Sequence, residues 1–316
     1  MQSLAFALLE KIGSLSIYIV LGFIAVRFKV LKYEDSKALS AFALYFVTPC
    51  AMLDAFQYEY SPAKLMGMGI ALLGALVVCV VFAVLIALLK KPLKLSDVDS
   101  LSLIYPNAGN FMLPLISMAL GGDWVIYCCP TFMVMNLLMF THGKSVMSRA
   151  KGFSWDMILK NVVIITSLIG FVMFLCNFKF PGMIGGVVTD FGRMMGPIYM
   201  FVVGMIIGNA DLKAVFLNKR AYLICLGRLV IMPIAAMLVI CLCGLLRLHP
   251  DAANILLIVV LTAGAPAAVM VTQFAQMYRS TEEAAFAGSV NIISSLLCLF
   301  TIPVLARLYE LLTAAL

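Results

Sequence analysis

Charge is scarce in this chain. Only 12% of its 316 residues are Asp, Glu, Lys or Arg, about half the roughly 25% usual in a soluble domain. A soluble fold must show water a mainly wettable surface, and a mean hydropathy of +1.10 leaves too little of it. Histidine is rarer still: His142 and His249 stand alone, both at the ends of apolar runs, where a surface role fits better than a proton relay. The 15 Asp and Glu avoid the interior of those runs. All lie in loops or within about two turns of a run's end, with Asp54 and Glu10 the deepest. A cation carrier of this general kind relies on a carboxylate at mid-membrane, so a cation is disfavoured as principal substrate.

Reactive constellations are missing too. The chain has no nucleotide-binding glycine loop, no Ser/His or Cys/His arrangement and no HExxH. The expectation is a protein that is not an enzyme and carries no resident cofactor, with Na+ or H+ left open as a coupling ion. The nine cysteines all fall inside apolar runs, and neither Cys128-Cys129 nor Cys241/Cys243 has His or Cys nearby at zinc-ligand spacing. They read as small apolar side chains, with no metal site.

Apolar residues make up 64% of the chain. They come in windows long enough to cross about 30 Å of hydrocarbon at 1.5 Å per residue. The windows fall at 6–27, 37–56, 64–89, 98–120, 122–142, 157–176, 187–208, 221–246, 252–276 and 284–308. All ten should be helices, because an open sheet in lipid leaves peptide groups unpaired. The predicted fold class is therefore an all-α membrane protein. The longest polar interruption, 143–156, divides it into a first five-helix half (1–142), a connecting loop and a second half (157–316).

The net charge of +7 needs no nucleic acid to explain it, since the basic residues sit in short loops. Loops after the odd spans hold 15 Lys/Arg, while the opposite side has five: Lys11, Lys64, Lys179, Arg247 and Arg307. That bias puts the odd loops, including 143–156, in the cytoplasm and both termini outside, in a multi-pass protein of the cell (inner) membrane. An odd number of helices per half then inserts the second half upside down.

Weak internal symmetry agrees with inversion. Span 2 carries FVTPCAM (46–52) and span 7 MMGPIYM (194–200); span 4 carries IYPNAGN (104–110) and span 9 TAGAPAAVM (262–270). Inverted repeats with paired Pro/Gly interruptions are a sequence pointer to a transport site. In span 4, Pro106 removes a backbone donor and disfavours helix at Tyr105, while Gly109 bends freely. In span 9, Gly264 and Pro266 do the same. If these breaks cross, two helix amino ends point at one place and favour an anion, with a carboxylate the obvious candidate. The substrate-binding candidates are Asn107, Asn110, Thr48, Asn136, Gln273, Asn291 and Arg228. Each Ser, Thr or Asn reads equally as an interhelical hydrogen-bonding group. Arg228 either snorkels to the headgroups or supports the site, and Arg193 reads as a snorkelling residue near the outer end of span 7. Gly204 and Gly208, four apart in span 7, read as a close packing face.

YPNAGNFMLPL (105–115), APAAVMVTQFAQMY (265–278) and SVNIISSLLCLFTIPVL (289–305) resemble the auxin efflux carrier family, as does MMGPIYMFVVGMIIGNADL (194–212). The short central loop is closer to its bacterial malate- and malonate-type permeases than to the plant auxin exporters. The resemblance implies two inverted five-helix repeats: a scaffold of spans 1, 2, 6 and 7, with a mobile transport part of spans 3–5 and 8–10. It also implies that broken helices 4 and 9 cross at an organic-anion site, Asn107 and Asn110 matching the asparagines of the first break. A homodimer through the scaffold fits as well. Arg193 matches no position of the family pattern. A sodium-coupled symporter of related fold and a membrane ligand sensor are the alternative readings.

Overall fold

In a computed structural model, residues 4–149 and 161–315 are described, apart from the side chains of residues 4–9, 110, 114 and 118. Among them every regular element is helical. Six helices are long and apolar enough to cross a membrane: α2 (Asp35–Asp54), α3 (Pro62–Leu89), α6 (Gly122–Ser148), α8 (Gly182–Asn209), α10 (Lys219–Leu242) and α13 (Thr281–Ala314). With them go α1 (Leu4–Arg27) and two shorter apolar helices, α7 (Val162–Leu175) and α11 (Ala252–Ala263). The remaining pieces are α4 (Asp97–Ile104), α5 (Leu113–Leu120), α9 (Leu212–Leu217) and α12 (Val269–Tyr278). Span 4 is thus divided into α4 and α5, and span 9 into α11 and α12. The connecting loop from 150 to 156 lies outside the described residues.

Proline writes itself into this architecture in two ways. Pro49, Pro114 and Pro233 each follow a π turn at a constant offset: Ala43–Val47, Ala108–Met112 and Gly227–Ile231. A proline offers no N–H to the carbonyl one turn back, and widening that turn accommodates the gap without ending the helix. Thr48 fills part of it, donating from Oγ1 to the Ala43 carbonyl (2.9 Å). The sequence pairs Pro49 with the other interruptions as one kind of feature. The structure separates them, because α2 runs unbroken through Pro49 whereas Pro106 and Pro266 stand in non-helical segments. Pro197 sits in the first turn of the second segment of α8, Met195–Asn209, which follows a joint at Met194. A fourth π turn, Met139–Gly143, has no such proline; there the Tyr105 hydroxyl inserts, donating to the Leu138 carbonyl (3.0 Å).

The close packing face expected at Gly204 and Gly208 is present, and its partner is α1. A methyl group at Gly204 would run into the Ile19 carbonyl oxygen, and one at Gly22 into that of Phe201. At Gly208 it would lie 2.9 Å from the Phe23 carbonyl oxygen. Helix α1 and the second segment of α8 therefore pack backbone against backbone, as small residues permit in a medium that gives helices little hydrophobic drive to associate.

Candidate functional site

Helix α4 opens with a capping box: Ser96 Oγ accepts from the Asp99 N–H (3.1 Å) and Asp99 Oδ2 from the Ser96 N–H (2.7 Å). It stops at Ile104 because Pro106 forces Tyr105 into an extended conformation (φ −96°, ψ 115°). Helix α11 stops at Ala263, and Ala268 is likewise extended (φ −65°, ψ 133°) before α12 begins. Both helices thus end within the buried part of the molecule, where freed peptide groups need partners.

Part of the need is met by the breaks themselves. They form an antiparallel bridge of Pro106 with Ala267. The Asn107 N–H donates to the Pro266 carbonyl (2.7 Å), and the Ala268 N–H to the Tyr105 carbonyl (3.0 Å). Helix α13 satisfies Ala267: Asn291 Nδ2 donates to its carbonyl (2.7 Å), and its N–H donates to Ser294 Oγ (3.1 Å). Ser294 in turn donates to the Asn291 carbonyl (3.1 Å), so both side chains are held as one unit.

The carbonyl ends of α4 and α11 are met by Arg228 of α10, which is fully buried. Its Nη1 donates to the Leu103 (2.8 Å) and Ile104 (3.3 Å) carbonyls, its Nη2 to that of Ala263 (2.8 Å) and its Nε to that of Ala265 (3.0 Å). The guanidinium also lies 5.4 Å from the centre of the Phe82 ring, a favourable cation–π distance. Snorkelling is thereby excluded: the charge faces the negative ends of two helix dipoles.

The amino-end side of the breaks is different. Asn107, the residue before the Ala108–Met112 turn, is 7% exposed, yet its side chain has no hydrogen bond among the described residues. Gly109 is required there for room, since a methyl group would collide with the Phe132 ring. The Asn110 side chain lies outside the described residues.

Other expected site residues have local partners. The Thr48 hydroxyl accepts from that of Tyr199 (2.8 Å), tying α2 to α8. Asn136 is half-buried, and its Nδ2 donates to the Phe132 carbonyl one turn back (2.9 Å). Gln273 is exposed. Sequence reasoning passed over Ser294 as a site residue; its place three residues after Asn291, on one face of a helix, was the available signal.

Two further features flank the breaks. A cavity of about 300 Å³ lies between α1, α2 and α8 on one side and α5 with the start of α6 on the other. Its lining includes Leu113, which directly follows the Ala108–Met112 turn, together with Ser117, Tyr58, Asp54 and Arg193. Asp54 accepts from Thr189 Oγ1 (2.6 Å), and exposed Arg193 lies 3.8 Å from Asp190. At the start of α4, Asp97 pairs with Lys90 (3.0 Å) and Arg279 (2.8 Å), and Asp99 pairs with Arg220. Asp99, near the start of α4, is completely buried by protein. Its capping role holds the carboxylate inward against Arg220.

A family model described as a membrane transport protein matches residues 7–153 and again residues 146–306. The chain belongs to this family. The match agrees with the likeness of the broken-helix motifs to the auxin efflux carriers. None of the curated proteins compared with the chain matches it. As a family member it is a multi-pass membrane transporter. The two matched stretches meet at 146–153, inside the polar interruption that divides the chain.

Proposed function

We propose that this transporter moves a small organic anion, such as a mono- or dicarboxylate, by alternating access at the paired breaks. The observation that carries the reading is an asymmetry of charge. Arg228 neutralises the carbonyl ends of α4 and α11, whereas no acidic side chain among the described residues bonds the amino ends that follow the breaks; their partners there are the neutral Ser294 hydroxyl and peptide carbonyls. Helix amino ends carry partial positive charge, and beside one of them stands the buried Asn107, its side chain without a partner among those residues. Of the described acids none but Asp99 is fully buried, at the far end of α4 from the break and with its Oδ2 paired to Arg220. The balance at the breaks favours a carboxylate.

In this reading ten helices form two inverted five-helix repeats. Spans 1, 2, 6 and 7 are the scaffold, and spans 3–5 and 8–10 are the part that moves. The Gly22/Gly204 contact between α1 and α8 and the Thr48–Tyr199 bond between α2 and α8 support a rigid scaffold. The ion pairs of Asp97 and Asp99 support a transport part that moves as one body. Lys/Arg bias supports termini outside and loop 143–156 in the cytoplasm, which puts the cavity lined by Asp54, Tyr58 and Gly122 toward the outer side. A scaffold-mediated homodimer would use faces other than Gly204/Gly208, which α1 covers.

Uptake into proteoliposomes tests the site. Asn107→Ala and Asn110→Ala are each expected to raise KM for the carboxylate at least tenfold, about 1.4 kcal/mol of binding, with apparent Tm unchanged. Normal uptake by both variants would remove the breaks as the binding site. Accumulation of the anion by the wild type would also dismiss a sensor that binds without transporting.

A further inference from the structure

We infer that Arg228 is the resident cation of the paired breaks, and that the transporter therefore works without a coupling sodium there. The inference rests on reading the breaks as the transport site. In carriers with broken helices, unwound carbonyls and half-helix carboxyl ends are the groups that coordinate a coupling cation. Here those groups are Leu103, Ile104, Ala263 and Ala265, drawn from both breaks, and all four carbonyls accept from a single side chain.

The shape of the cradle fits a guanidinium and not a spherical ion. The four oxygens are shared among three nitrogens, Nε, Nη1 and Nη2. They follow the edge of a planar fork. A metal ion needs its oxygens converging on one point. The charge is also covalently attached to α10, and Phe82 of α3 covers it. It cannot leave with the substrate. A permanent cation fixes the geometry of the crossing in every state of the cycle, whereas an exchangeable one makes that geometry depend on the ion.

Two arms test this. In the first, sodium is replaced by choline or potassium at constant pH and ionic strength. Initial uptake and apparent Tm of the wild type are both expected to stay unchanged; a loss of uptake, or a Tm that rises with sodium, would overturn the inference. In the second, Arg228→Ala and Arg228→Gly are purified and selected for monodispersity, then given millimolar guanidinium, methylguanidinium or sodium. Guanidinium and methylguanidinium are expected to raise the variants' Tm by several degrees and leave the wild type unaffected, with sodium inert. Stabilisation by sodium equal to that by guanidinium, or no stabilisation of a monodisperse variant by any of the three, would overturn it. If neither variant is monodisperse, the Tm of Arg228→Lys decides: it is expected to be insensitive to sodium, and a sodium-dependent rise counts against the inference. The Tm measurements need no substrate. They stand if the organic-anion assignment fails, and an absence of uptake both with and without sodium, with intact Tm behaviour, counts against that assignment alone.

Discussion

Arg228→Met is expected to destabilise the folded protein by about 3–5 kcal/mol, the range found when one side of a buried charged interaction is removed. Methionine fills much of the volume, so the loss is not one of packing. It comes from the Leu103, Ile104, Ala263 and Ala265 carbonyls, which lose their donor in the core of the protein. Each buried acceptor left unpaired costs on the order of 1–3 kcal/mol. The sum is tempered because the helix ends relax and because unfolded segments in a membrane also find partners. For a chain of this size the apparent Tm should fall by on the order of 10 °C. Differential scanning fluorimetry of purified protein measures it. A Met variant as stable as the wild type would mean that the breaks hold their own geometry and that Arg228 is not their support.

Gly204→Leu is expected to be worse. The α1 and α8 backbones already touch at Gly204, and even a methyl group there meets the Ile19 carbonyl. Neither partner is a flexible side-chain tip, so the two helices must separate. Separation also loosens Gly22 against Phe201 and Gly208 against Phe23. Overpacking typically costs about 1–3 kcal/mol; with two backbones displaced the expected result is little or no monodisperse protein in detergent. Gly186→Leu, on the first segment of the same helix, is the control. Nothing lies within 4 Å of its added carbon, and it should purify like the wild type. Equal yields from the two variants would remove the close contact.

The breaks are legible in the amino-acid sequence because their causes are local. A proline two residues beyond Ile104 ends the helix there, and Gly264 and Pro266 follow the end of α11 at Ala263. At Pro49 the helix continues, since proline alone does not say whether a helix breaks or swells into a π turn. Thr48, returning its hydroxyl to Ala43, belongs to the swollen outcome. The packing face of Gly204 and Gly208 is legible by its spacing, but its partner α1 is not.

Helical membrane architecture, the positions of the interruptions and the poverty of embedded acids were determined by sequence alone, because hydropathy and proline chemistry act within a few residues. Roles at the site were decided by tertiary structure. Arg228 is 125 residues from the Leu103 carbonyl it serves, and Asn291 is 24 from Ala267. From sequence, Arg228 reads equally as a snorkelling charge, and Asn291 as one polar residue among several. The need for partners at a broken helix is local, but the partners come from whichever elements the fold brings there.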